Sequence, residues 1–310
     1  MNEPKNPERR GFVKALGVAA GGALVPSSTR DDTAGVRMRS LVSRAAPVMC
    51  PGGYDVLSAR LIELHGFEAM VVGGSACSAS MYGIPDYGLV SITELIELAA
   101  RIAGAVEIPV LADADDGGGS PLNVYRAMQG FERAGIAAVM IEDHVQVKHV
   151  GGEGELVPTH VMADKVKAAV DARQGDTIVL ARADSVSVGE SVEAAIERGV
   201  AYAEAGADML FFAGMALEDC PRAADAAQKP LMTTVRDTPL DVLERQKITL
   251  AVYAAHALQL ALGAADRGLA ELKRNARIDS FRDRAIDGET YSKLLRSDEE
   301  RTRAREYHLT

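Results

Sequence analysis

From residue 36 onward the chain alternates short apolar runs with longer segments whose apolar residues recur at helical spacing. Eight runs read as strands: Pro47 to Cys50, Ala69 to Val72, Ile108 to Asp113, Ala137 to Glu142, Thr177 to Arg182, Asp208 to Ala213, Leu231 to Thr234 and Leu250 to Ala254. A short run with little alternation suits a strand covered on both faces, as parallel sheets require. Each run precedes a helix-like segment, and eight such alternations over roughly 250 residues predict an α/β fold, a closed (β/α)8 TIM-type barrel. A doubly wound sheet is the alternative.

Local signals agree with that alternation. Leu57, Leu61 and Leu64 fall at i, i+4 and i+7 and predict one apolar helix stripe, with Gly66 as its stop. Ser91 and Glu94 have capping-box spacing, Ser120-Pro121 and Thr238-Pro239 read as a cap followed by a first-turn proline, and Gly135 and Gly206 close helices. The final stretch, Ile278 to Thr310, is rich in Arg, Asp and Glu and suits an outer helix or an oligomer arm.

The first 35 residues break the pattern. Arg9-Arg10-Gly11-Phe12-Val13-Lys14, followed by the mildly apolar Ala15 to Val25, predicts a twin-arginine export signal and linker, with 36–310 as a single barrel domain. The alternative is an extension with a chance arginine pair. The apolar stretch is too short to span a bilayer. An exported chain would work in the periplasm or outside the cell, and one that does not use the signal would work in the cytoplasm. A net charge of -10 without a long basic cluster argues against nucleic acid as a partner, and Cys50, Cys77 and Cys220 are too scattered for a disulfide framework.

Candidate chemistry collects at the carboxyl ends of the predicted strands, where parallel barrels place it. The stretch Pro109 to Ser120 runs from a strand through Asp113 and Asp115 into Gly117-Gly118-Gly119. Glu142 and Asp143 end the fourth strand, Arg182 and Asp184 end the fifth, Gly73-Gly74-Ser75 follows the second, and Asp86 lies just beyond. Crowded carboxylates repel one another, and a hard cation such as Mg2+, or Mn2+, removes that repulsion. Such an ion would chelate a small 2-oxo or 2-hydroxy carboxylate and stabilise an enolate as a bond breaks. Arg182 would grip a substrate carboxylate or pair with Asp184. The glycine-bearing loop from Asp143 to Gly154 offers Lys148 and His149 as a cation and a titratable group, or as a solvated basic pair.

These stretches, PGGYDVLSARLIELHGFEAM, YGIPDYGLVSITE, PVLADADDGGG, AGIAAVMIEDHVQVK, LARADS and YAEAGADMLFF, resemble the isocitrate lyase/phosphoenolpyruvate mutase superfamily over residues 36–296. The resemblance implies a barrel whose last helix is exchanged between subunits in a dimer of dimers, with Mg2+ as cofactor. It implies Asp113 as principal metal ligand, with Asp86, Asp115 and Glu142 holding the ion directly or through water. Arg182 would bind a substrate carboxylate, Gly74 and Ser75 would donate to substrate, and Lys148 would open the flap signature. Four departures follow. Gly73 replaces a frequent serine. The lyase flap Lys-Lys/Arg-Cys-Gly-His reads Lys148-His149-Val150-Gly151-Gly152, so its acidic cysteine is missing; a glutamate is replaced by Ala213, and an asparagine by Thr233 or Thr234.

Together these readings predict a Mg2+-dependent carbon–carbon lyase acting on a small 2-oxo or 2-hydroxy di- or tricarboxylate, with Lys148, His149 or water handling the proton. Decarboxylation or a retro-aldol step needs fewer special groups than cysteine-dependent cleavage. The rivals are a phosphonate mutase or hydrolase, and a carboxylate-binding relative without turnover.

Overall fold

A computed structural model describes residues 33–150, 154–277 and 285–309; the predicted export signal lies outside them. The described chain from Ala34 onward forms one unit. Its strands are β1 (Val48–Gly53), β2 (Met70–Val72), β3 (Val110–Asp113), β4 (Ala138–Glu142), β5 (Ile178–Ala183), β6 (Met209–Phe212), β7 (Leu231–Thr234) and β8 (Ile248–Tyr253). Each pairs in parallel with its sequence neighbours, and β1 pairs with β8, closing the barrel. Every strand overlaps a predicted run, so the closed barrel, and not the doubly wound sheet, is the fold.

Strand parity sorts the core into two layers. Val71, Leu111, Met140, Leu180, Phe211, Met232 and Leu250 share the inner cluster. Their neighbours Val72, Ala112, Ile141, Ala181, Phe212 and Leu231 pack outward against the helices. α1 (Ala34–Val42) sends Met38, Leu41 and Val42 into the inner cluster. An added Cβ on Gly35 would lie 2.5 Å from the main chain of Asp176, so only glycine permits this approach. The outer layer comprises α2 (Val56–Leu64), α3 (Gly74–Tyr82), α4 (Ile92–Ala103), α5 (Pro121–Arg133), α6 (Thr159–Ala172), α7 (Val192–Glu204), α8 (Cys220–Ala227) and α9 (Leu240–Arg245).

The predicted caps are present at Ser91 with Glu94 and at Ser120 with Pro121. At α9 the cap falls on Pro239, one residue after the predicted Thr238. The α2 stripe differs from expectation: Leu57 and Leu64 are exposed, while Ser58, Ala59 and Ile62 are buried. Small side chains let α2 approach β1, where an added Cβ on Gly53 would stand 3.6 Å from Ala59.

After β8 come α10 (His256–Asn275), α11 (Gly288–Leu294) and α12 (Ser297–Glu306). α10 is 20 residues long and buries none of them, and Leu260, Leu262 and Leu269 are exposed. The terminal segment returns to the barrel, where Arg60 Nη1 donates to the Leu294 carbonyl at 2.7 Å and Arg296 Nη2 to that of Ala105 at 2.9 Å. No helix among the described residues is long and apolar enough to cross a membrane.

Candidate active site at the carboxyl rim

The inner parity of β3, β4 and β5 carries Leu111, Met140 and Leu180 onward to Asp113, Glu142 and Arg182, so all three face the barrel mouth. Asp115 sits two residues beyond β3 at φ 48°, in the left-handed region, with Gly117, Gly118 and Gly119 also at positive φ. The glycines make that turn possible. Lys165, buried on α6, holds the loop by donating to the Asp116 carbonyl at 2.9 Å.

The amide of Gly74, at the start of α3, donates to Asp113 Oδ2 at 3.1 Å. A Cβ at Gly74 would stand 3.1 Å from Asp115 Oδ1, 3.2 Å from Asp113 Oδ2 and 3.6 Å from Asp86 Oδ1. Three predicted metal acids thus converge on one small space. Lys148 is fully buried beside them, its Nζ 2.6 Å from Asp115 Oδ1, 3.1 Å from Glu142 Oε1 and 3.4 Å from Asp86 Oδ1. The solvated alternative for Lys148 is therefore excluded. Arg182 Nη1 meets Glu142 Oε2 at 3.0 Å and Nη2 meets Asp184 Oδ1 at 2.7 Å, with the guanidinium 5.4 Å from the centre of the Phe211 ring. Its pairing with Asp184 is present, alongside a second pairing with Glu142.

Electrostatics follow from this crowding. Burial pushes Glu142 up to about 8 despite Arg182 and Lys148, and burial together with Asp113 pushes Asp115 up to about 6. Burial alone would depress Lys148, but Asp113, Glu142, Asp115 and Asp86 outweigh it and hold the ammonium charged. Glu142 and Asp184 act likewise on Arg182. Burial, and then Lys148, lower His149 from its ordinary value; its ring lies edge-on to His144 with centroids 5.2 Å apart.

The acids fit a divalent cation. Asp86, Asp113, Asp115, Glu142 and Asp184 are five carboxylates against the two cations Lys148 and Arg182. Asp86 Oδ1 and both Glu142 oxygens are buried without a well-directed hydrogen bond. Among the described residues no three His, Cys, Asp or Glu side chains form a ready metal cage. Magnesium needs only one or two carboxylates and keeps its remaining waters.

Other predicted residues are placed less simply. Ser75 is exposed in the first turn of α3, which starts at Gly74. Thr234 has the inner parity of Met232, whereas Thr233 has the outer parity of Leu231 and is buried. Thr234 lines a cavity of about 530 Å³ with Arg236, His256 and Gln259. The sequence reading missed these last three; an arginine and a histidine just past two strand ends were the available signal. Ala213 is buried after β6, Val150 is exposed, and residues 151–153 of the loop lie outside the described set.

Residues 38–273 match the model of the phosphoenolpyruvate phosphomutase family. The chain belongs to this family. It is 37% identical over 258 residues to a probable 2-methylisocitrate lyase of Corynebacterium glutamicum, covering 79% of this chain and 84% of that protein. It is 41% identical to 2,3-dimethylmalate lyase of Eubacterium barkeri over 179 residues, 56% of this chain and 61% of that protein, so this match spans less than two thirds of the relative. Phosphoenolpyruvate phosphomutase from Streptomyces platensis subsp. rosaceus superposes with a TM-score of 0.82 at 29% identity, covering 89% of this chain and 99% of that one. A phosphonopyruvate hydrolase solved with oxalate and Mg2+ gives 0.80 at 26% identity, with coverage of 89% and 99%. The family contains both carbon–carbon lyases and enzymes of phosphonates, which matches the two enzyme readings of the sequence.

Proposed function

We propose that this protein is a Mg2+-dependent carbon–carbon lyase, with Mn2+ as an alternative ion, acting on a small 2-oxo or 2-hydroxy di- or tricarboxylate. The observation that carries this reading is the convergence of Asp86, Asp113 and Asp115 on the Gly74 cradle, with Glu142 joining them to Arg182. Asp113 and its neighbours would hold the ion, which when bound supplies positive charge to substrate oxygens as electrons arrive. Arg182 orients one carboxylate bidentately, turning from its internal partners toward the ligand. Thr234, Arg236 and His256 give a second carboxylate a polar cavity on the same rim. With Val150 where the lyase flap has cysteine, decarboxylation or retro-aldol cleavage suits these residues better than cysteine-dependent protonation.

The enzyme's turnover is expected to vanish with EDTA, to return with Mg2+, and to be absent in Asp113→Ala. Turnover by folded Asp113→Ala at the wild-type rate would refute the metal reading. Consumption of phosphonopyruvate alone would favour the phosphonate reading, and tight carboxylate binding without product would favour the non-catalytic one.

The exposed leucines of α10 support a homo-oligomer, with a dimer of dimers as the finer proposal; light scattering of a monodisperse monomer would oppose it. Export by the twin-arginine route is proposed from Arg9-Arg10 with Phe12 and Lys14 beside them and the mildly apolar Ala15 to Val25 after them. A reporter fused to residues 1–35 should lose export when both arginines become lysine.

A further inference from the structure

Behind the rim lies a buried cluster that the reading above does not use. Asp143, beside Glu142, is fully buried. Its Oδ2 accepts from the Tyr202 hydroxyl at 2.6 Å and from Arg198 Nη1 at 3.4 Å, and its Oδ1 accepts from the Asp184 amide at 2.9 Å. Arg198 and Tyr202 lie one turn apart on α7, outside the barrel wall. A buried carboxylate persists only where donors replace water, and these three donors do so.

The identity of the amide gives the cluster a further consequence. Asp184 is two residues past Arg182 and grips its guanidinium, while the Ser187 hydroxyl donates to the Asp184 carboxylate at 3.1 Å and to its carbonyl at 2.7 Å. A continuous path therefore runs from α7 through Asp143 and the Asp184 main chain to the guanidinium. Arg198 also donates to the Val157 carbonyl at 2.8 Å, and the Val157 amide donates to the Asp143 carbonyl at 2.9 Å, which ties in the end of the rim loop. Burial and Asp143 raise Tyr202 far above its ordinary value, so its hydroxyl remains a donor.

We infer that Tyr202 and Asp143 are positioning residues: across the barrel wall they fix the main chain at Asp184, and through it the direction in which Arg182 meets a substrate carboxylate. The inference rests on the carboxylate-binding role proposed for Arg182. A merely structural cluster would affect stability and leave ligand affinity unchanged.

Calorimetric titration of the full chain with oxalate, in saturating Mg2+, separates the two. Tyr202→Phe, with folding confirmed by circular dichroism, should bind oxalate about 3- to 10-fold more weakly. It should raise KM for any acid turned over while kcat stays within about twofold. Ser187→Ala, which removes a donor to Asp184 without touching α7, should act in the same direction and serves if Tyr202→Phe does not fold. In an Arg182→Lys background Tyr202→Phe should add little, because the group being aimed has changed. Unchanged oxalate affinity in the folded variants, or an equal loss in both backgrounds, would overturn the inference. Wild-type protein that binds no oxalate would remove the carboxylate site itself and the inference with it. Wild-type binding with unaffected variants would remove this inference alone.

Discussion

Replacing Gly74 with alanine puts a methyl group into the proposed metal cradle and leaves the rest of the chain unaltered. The new Cβ would lie 3.1 Å from Asp115 Oδ1 and 3.2 Å from Asp113 Oδ2, so both carboxylates must yield by a few tenths of an ångström. Metal–ligand distances tolerate only about 0.2 Å, and disturbing groups that orient ligands typically weakens metal binding about 10- to 100-fold. The fold should not suffer. Gly74 begins a helix without left-handed φ, where alanine is favoured over glycine by up to about 1 kcal/mol. Gly73→Ala is the control, since its added Cβ meets nothing within 4 Å. Mn2+ affinity measured by calorimetry or electron paramagnetic resonance, beside thermal melting, should show Gly74→Ala with a roughly 10- to 100-fold loss and an unlowered Tm. Gly73→Ala should retain both. Mn2+ affinity within twofold of wild type in folded Gly74→Ala would refute the cradle as the metal site.

Arg182→Met should leave the buried Asp184 without its cation and destabilise the fold by about 3 to 5 kcal/mol, read by urea unfolding; a loss below about 1 kcal/mol would contradict the pairing. In EDTA, raised carboxyl pKa values mean that the folded state holds protons the unfolded chain releases. Stability should therefore fall as pH rises from about 4 to 8, through the values of Asp115 and then Glu142, and the slope should flatten in Glu142→Gln; an unchanged slope would count against burial as the cause. Cys77 is buried, and burial followed by Asp113 pushes its thiol up to about 12, so Cys77→Ala should keep activity within about threefold; a collapse of rate in folded protein would make it a catalytic acid.

The barrel was legible because each strand is a compact apolar run, and Asp113, Asp115 and Glu142 were legible because they stand where those runs stop. The α2 face was not. Its leucines have helical spacing, yet close approach to β1 favours Ser58 and Ala59, a preference that hydrophobicity alone does not register. The choice between Thr233 and Thr234 required the strand's phase, which the inner position of Met232 supplies. Lys148 lies in a glycine-bearing loop, and only the folded chain shows its ammonium among acids from three other segments. Tyr202 sits on an amphipathic outer helix, and nothing in its local sequence connects it with Asp143, 59 residues earlier.

Proton and phosphorus NMR of the purified chain with Mg2+ tests the chemistry assigned to this rim most directly. The panel contains oxaloacetate, 2-methylisocitrate, isocitrate, 2,3-dimethylmalate and phosphonopyruvate, each with an EDTA control. The expected result is EDTA-sensitive loss of at least one di- or tricarboxylate, with signals of the products of carbon–carbon cleavage. Turnover of phosphonopyruvate alone, or no conversion of any acid by folded, Mg2+-loaded protein, would contradict it.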